Sequence, residues 1–333
     1  MKAYILDAYG KGNSLRLGDV PDPVVGPDDV LIEIHATGLN VIDLKLRDGE
    51  FKQILPYKPP FILGADLAGI VTRVGGNVTR FAVGDAVYAS PPGGRIGTFA
   101  ESIAVDQADV ALKPVNLSME AAASIPLVGL TAWQVLVDRA RLKRGQKLLI
   151  HAGSGGVGTF AIQLARHLGA HVATTAGTGN LDLVRHLGAE TIVDYKTQDF
   201  SETLSGYDVV LNTLDGETLA KSLKVMKPGG QLISISGPPD PAFARQQGLN
   251  WLLQQVMRLL SFGIRRKAKR QDVTYSFLFM QANGEQLGKI TTLIEDGVIQ
   301  PVIDRVFPFD QMNDALAYLA TGRAKGKVVV KLR

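Results

Sequence analysis

The pattern of apolar and polar positions changes character along the chain. Near the start, Val30-Leu31-Ile32-Glu33-Ile34-His35-Ala36 alternates with a period of two, as does Gly69-Ile70-Val71-Thr72-Arg73-Val74 ahead of Gly75-Gly76. The stretch 81–88 is a third such run, so short strands joined by Gly and Asp/Asn turns predict a compact β-rich domain. From Lys147 onward, continuous apolar runs replace the alternation, at 148–152, 171–175, 191–195, 207–212 and 231–236. Helical stretches lie between them, including 160–168 and one ending at His186. Strands alternating with helices predict βαβ units and an α/β doubly wound parallel sheet. After a helix around 310–320, the tail 327–332 reads as a strand again and is expected to rejoin the β-rich domain. The expected division is therefore 1–123 with 284–333, and 124–283.

Bulk properties fit two domains in 333 residues, with 46% hydrophobic and 20% charged positions. A net charge of +4 is mild for this length, so nucleic acid is not an expected partner. There is no cysteine, which excludes disulfides, thiolate metal sites and a cysteine nucleophile, and suits a reducing cytoplasm, the expected location. Residues 1–7 lack the apolar core of a signal peptide, and no run is long enough to span a bilayer.

The strongest chemical signal is Gly153-Ser154-Gly155-Gly156-Val157-Gly158, a G-x-G-x-x-G between the strand 148–152 and a helix. The first glycine permits the tight turn, the second lets a pyrophosphate approach the backbone, and the third lets helix and strand pack closely. The helix start presents N–H groups and a positive dipole end to phosphates. About 20 positions on, where an NAD site places an acid for the ribose 2′-hydroxyl, stand Thr174, Thr175, Ala176, Gly177 and Thr178. Hydroxyls without a carboxylate favour NADP(H), with Arg185, Lys196 and the Tyr195 hydroxyl as the nearest groups for a 2′-phosphate. Ser236 and Gly237, after the last strand, should meet the glycine loop at the carboxyl edge of the sheet.

Residues 248–280 are distinctive. Trp251-Leu252-Leu253, Val256-Met257 and Leu259-Leu260 make a broad apolar helix, followed by Arg265, Arg266, Lys267, Lys269 and Arg270. The expected role is a lid over an apolar pocket with a solvated basic turn; contact of 251–270 with a membrane surface is the alternative. Tyr275, Phe279 and Met280 are expected to face the nicotinamide and an apolar acceptor.

Along nearly its whole length the chain resembles the medium-chain dehydrogenase/reductases of the zinc-independent quinone oxidoreductase branch. The resemblance rests on Gly38-Leu39-Asn40-Val41-Ile42-Asp43, Gly64-Ala65-Asp66-Leu67-Ala68-Gly69, Val83-Gly84-Asp85-Ala86-Val87 and Ala121-Ala122-Ala123-Ser124-Ile125-Pro126. It continues through Gly129-Leu130-Thr131-Ala132-Trp133, the glycine loop, Leu187-Gly188-Ala189-Glu190, Val193-Asp194-Tyr195, Gly297-Val298-Ile299-Gln300-Pro301 and Gly326-Lys327. The nearest members in character are reductases of α,β-unsaturated carbonyls and the mitochondrial reticulon-interacting oxidoreductases. This implies a GroES-like catalytic domain, a Rossmann cofactor domain and a homodimer. It also places Asn40 and Ala65 where zinc-dependent relatives carry cysteine and histidine ligands, so no zinc is expected.

By the same resemblance, Asn40, Asp43 and Lys45 serve catalysis, Lys45 standing where many quinone oxidoreductases have tyrosine and the alkenal reductases lysine. Cofactor contacts are expected from Thr131, the loop 153–158, Thr175, Gly177, Asn180, Tyr195, Asn212, Ser236, Gly237 and Phe279, with Arg323 and Lys325 at the adenine end. Asn180 replaces the usual lysine for the 2′-phosphate. Without a Lewis acid, hydride transfer to a conjugated acceptor is easier than to a ketone, because charge delocalises into an enolate or hydroquinone. The expected function is NADPH-dependent reduction of a small lipophilic quinone or enone. The alternatives are an enoyl thioester reductase and an NADPH-binding protein with an RNA-binding or structural role.

Overall fold

The computed structural model describes residues 1–52, 55 and 57–333. It divides into two compact units, Met1–Leu130 with Gln281–Arg333, and Thr131–Met280. These joints lie a few residues from the expected ones, because helix Pro126–Trp133 runs on through the first of them.

The first 130 residues supply β1 (Lys2–Leu6), β2 (Arg16–Asp19), β3 (Asp29–Leu39), β4 (Phe61–Ile62), β5 (Leu67–Val74), β6 (Ala86–Ala89), β7 (Ser102–Asp106) and β8 (Val110–Leu112). The second unit supplies β9 (Lys147–Ile150), β10 (His171–Ala176), β11 (Thr191–Asp194), β12 (Tyr207–Asn212), β13 (Met226–Ser234) and β14 (Thr274–Phe277). The chain then returns with β15 (Ile303–Pro308) and β16 (Lys327–Lys331).

In the first unit a seven-stranded sheet runs β15-β16-β3-β5-β6-β8, with β7 also pairing β3. The tail strand β16 lies antiparallel on β3, Val328 opposite Leu39 and Val330 opposite Thr37, so the discontinuous domain is real. Alternation along β3 turns Val30, Ile32 and Ile34 onto Leu67, Val71 and Val87. The expected strand 81–88 is shorter: Asp85 accepts the Ala82 N–H at 2.9 Å and Gly84 sits at φ 98°, so 82–85 form a turn and pairing begins at Ala86.

The second unit is a six-stranded parallel sheet ordered β11-β10-β9-β12-β13-β14. Counted within the unit this is 3-2-1-4-5-6, the doubly wound dinucleotide-binding order, whose switch point lies between β9 and β12. Leu149, Val210 and Leu232, from three neighbouring strands, lie in one core with Ala173 and Val225. Helix Gly156–His167 starts directly at the glycine loop, four residues earlier than its apolar pattern suggests, since glycines carry no hydrophobic signal. The basic segment after Leu260 is not a turn but a second helix, Phe262–Arg270, because its residues are good helix formers.

Candidate active site

At the carboxyl edge of β9 the glycine loop is built to tolerances only glycine satisfies. A Cβ on Gly153 would lie 2.0 Å from Thr174 Oγ1, and one on Gly158 would lie 2.4 Å from the Ala152 carbonyl oxygen. Ala152 turns the chain at φ 52°, uncommon for a residue with a side chain. The turn is held by Gly153 N–H donating to the Thr175 carbonyl (2.9 Å) and Ala152 N–H donating to Thr175 Oγ1 (3.1 Å). Beneath it, buried His151 places Nε2 2.9 Å from Ser222 Oγ and Nδ1 3.3 Å from Thr175 Oγ1. Burial holds this imidazole neutral, its pKa pushed down to about 4.

Asn212 closes β12 on the other side of the switch point. Its amide nitrogen donates to the Leu214 carbonyl and to Ser234 Oγ, both at 3.1 Å. Its Oδ1 is buried with no partner, one of two such side-chain atoms among the described residues. A buried acceptor awaiting a donor, beside a glycine turn and an open helix start, fits a dinucleotide that brings amide and hydroxyl donors together with phosphates. Ser236 and Gly237 lie beyond the strand end, with Gly237 N–H on Ser234 Oγ at 2.8 Å.

Past β10, hydroxyls and a carboxylate lie together. The Thr174 hydroxyl donates to the Ile150 carbonyl (2.7 Å), and Thr175 Oγ1 accepts the Ala152 N–H and lies 3.3 Å from His151 Nδ1. A carboxylate is also present: β10 and β11 pair with Ala176 opposite Asp194, and the Thr178 hydroxyl donates to Asp194 Oδ2 at 2.5 Å. That bond and the Lys196 N–H hold the Asp194 carboxyl below the usual range. Asn180 Nδ2 donates to Ser154 Oγ at 3.1 Å, tying the 177–180 turn to the glycine loop. Tyr195 and Lys196 remain exposed, and the Tyr195 ring lies beside Gly177.

In the first unit, Asn40 and Asp43 are interior residues. Asp43 starts helix Val41–Asp48, its Oδ2 accepting the Asn40 N–H at 2.8 Å. Its Oδ1 is the other buried atom without a partner, and burial pushes its pKa up to about 7. The Asn40 amide is engaged at both ends: Nδ2 donates to Asp66 Oδ2 (2.9 Å), and Oδ1 accepts from Lys327 Nζ (2.5 Å). Lys327 completes its donors on Asp66 Oδ2 (3.0 Å) and the Leu39 carbonyl (2.9 Å), while Asp66 Oδ1 accepts the Leu127 N–H at 2.7 Å. Burial pushes the Asp66 carboxyl up, and the Lys327 ammonium and the Asn40 amide pull it back.

Asn40 Nδ2 also lies 3.3 Å from the Gly38 carbonyl, so Asn40 and Asp43 hold the start of this helix. Lys45, in the last turn of that helix, is part-exposed with Nζ 3.8 Å from Glu50. It is the one member of the expected trio that reaches the surface. Asp66 and Lys327 lie within motifs that carry the resemblance, but only their meeting reveals them as a site. Among the described residues, no group of three His, Asp or Glu is placed to hold a metal.

The remaining expected residues are scattered. Thr131 is buried in helix Pro126–Trp133, and Phe279 is half-buried with its ring 5.9 Å from that of Phe243. Tyr275 packs in the sheet core, and its hydroxyl donates to the Pro238 carbonyl at 2.6 Å. Arg323 and Lys325 are exposed in the turn after helix Met312–Ala320.

Known proteins share this architecture. The alcohol dehydrogenase GroES-like domain family matches residues 26–115, and the zinc-binding dehydrogenase family matches 187–330. The chain is 33% identical to the mitochondrial NAD(P)H oxidoreductase RTN4IP1 of Danio rerio, across 100% of this chain and 91% of that protein. It is 35% identical to the chloroplastic NADPH-dependent alkenal/one oxidoreductase of Arabidopsis thaliana, across 99% of this chain and 79% of that protein. The quinone oxidoreductase of Coxiella burnetii superimposes with a TM-score of 0.87 at 31% identity, covering 100% of this chain and 99% of that one. The chain belongs to the medium-chain dehydrogenase/reductase family, in its quinone oxidoreductase branch, and is an oxidoreductase.

Proposed function

We propose that this oxidoreductase uses NADPH, without zinc, to reduce a quinone or the C=C bond of an α,β-unsaturated carbonyl. The observation that carries the reading is the Asn40 amide. Where zinc-dependent relatives place a thiolate ligand, this chain has a neutral amide whose Nδ2 donates to Asp66 and whose Oδ1 already faces the Lys327 ammonium, a poor donor set for a metal cation. The bound nicotinamide supplies the hydride. The second unit's part is to hold it with the glycine turn and Asn212; the family resemblance assigns Lys45 as the cation for oxygen charge that develops on the acceptor. Protonation of the product's carbon or oxygen by water completes the reduction, since hydride and proton together make up the added hydrogen.

NADPH is chosen over NADH on two supports. The Arabidopsis relative is named for it, and Lys196 stands exposed beside Tyr195, past the ribose end of β10. The test is turnover in the presence of chelator with each cofactor in turn. Preference for NADH, or loss of activity on chelation, contradicts the reading.

A further inference from the structure

Helix Trp251–Leu260 is amphipathic the wrong way round for a helix packed on a soluble domain. The residue turned into the protein is Met257, with Leu253 and Gln254 half-buried beside it. Along one flank, spaced by three and four residues, Leu252, Val256, Leu259 and Leu260 are exposed, Leu259 to 75%. Trp251, 73% exposed, and Phe262, at the start of the next helix, extend the same apolar strip. The pocket-roofing role expected of these side chains needs them turned inward, and they are turned to solvent.

The charge beside the strip is one-sided. From Pro241 to Gln271 there are seven cations, Arg245, Arg258, Arg265, Arg266, Lys267, Lys269 and Arg270, and no carboxylate, in a chain whose total is only +4. None of the seven forms an ion pair among the described residues, and Arg266 lies over the Phe262 ring at 6.0 Å. Arg266, Lys267, Lys269 and Arg270 are exposed on helix Phe262–Arg270.

We propose that the two helices form a docking surface for an anionic phospholipid bilayer. Exposed Trp, Phe and Leu enter the headgroup boundary and the neighbouring cations meet lipid phosphates, the composition of an interfacial helix. Charge complementarity selects this occupant over a second copy of the chain. A two-fold contact through this patch sets cations against cations, whereas an anionic surface attracts each of them. Docking here would hold a reductase of lipophilic acceptors where such acceptors dissolve.

The test is sedimentation of the full chain with phosphatidylcholine vesicles and with phosphatidylcholine–phosphatidylglycerol vesicles, at low and high salt. The expected result is binding to the anionic vesicles only, weakened by salt. Neutralising Arg266, Lys267, Lys269 and Arg270 to Gln should weaken it by roughly a hundredfold or more. The exposed pair L252S/L259S should weaken it at unchanged salt dependence, and both variants should keep full turnover of a small soluble acceptor. Binding to neither vesicle, or equally to both, overturns the proposal. So does binding to polyglutamate in place of vesicles, or a dimer in light scattering that L252S/L259S dissociates.

Discussion

Lys327 Nζ lies 3.0 Å from Asp66 Oδ2 across 261 residues of chain, and both side chains are buried. This ion pair, with Asn40 held between its members, joins the tail strand to the start of helix Val41–Asp48. Removing one member of a buried pair leaves the other charge uncompensated. Lys327→Met should therefore lower unfolding stability by about 3–5 kcal/mol in urea titrations. Adding Asp66→Leu should recover part of that loss, since no lone charge remains; a double variant no better than the single one contradicts the electrostatic account.

Two buried groups give opposite pH signatures. Asp43 carries a raised pKa of about 7, so between pH 4 and 7 the native state holds a proton that the unfolded chain releases. Its stabilising contribution is full at low pH and fades as pH rises through 7. Asp43→Asn removes that dependence, and the difference between variant and parent should move in the variant's favour from pH 4 to pH 7. His151, lowered to about 4, behaves conversely: its contribution is present above pH 6.5 and is lost as pH falls through 4. His151→Asn should flatten the acid limb of the stability curve in thermal melts.

The glycine loop predicts a sharp steric effect. Gly158→Ala sets a methyl group 2.4 Å from a backbone oxygen that has nowhere to move. With about 1–3 kcal/mol of overpacking, NADPH affinity measured by fluorescence titration should fall roughly tenfold or more. Wild-type affinity in this variant would remove the loop from the cofactor site.

Much of the second unit was legible in the sequence because its signals are local. An apolar run, a glycine turn and a helix follow one another between Lys147 and His167, but the sixth strand, Thr274–Phe277, and the strand order are set by long-range pairing. What stayed hidden depends on long-range register or on where a hydroxyl points. Asp194 was overlooked as a neighbour of the ribose end because only the pairing of β11 on β10 brings it to Thr178. That Thr175 Oγ1 accepts the Ala152 N–H is equally invisible in the sequence, because it depends on the turn at Ala152. Asp66 and Lys327 each sit in an unremarkable motif, and no periodicity connects them. The exposure of the apolar strip along 251–262 is likewise not readable from the sequence, since hydrophobic periodicity reports an apolar face without saying what it faces.

Lys45 separates chemistry from binding. If its ammonium meets oxygen charge that grows during hydride transfer, Lys45→Met should lower kcat roughly tenfold to a hundredfold. KM for NADPH should stay near that of the parent. Lys45→Arg should retain most of the rate. An effect confined to KM for NADPH would assign Lys45 to cofactor binding.

Zinc-independent reduction is read out by NADPH oxidation with chelator-treated protein. The acceptors are a 1,4-quinone, a short alkenone, a long alkenal and a crotonyl thioester, with NADH run in parallel. The account predicts turnover that survives chelation, runs faster with NADPH, and is greatest with a quinone, alkenone or alkenal. Silence across the panel despite tight NADPH binding, or turnover restored only by added zinc, would contradict it.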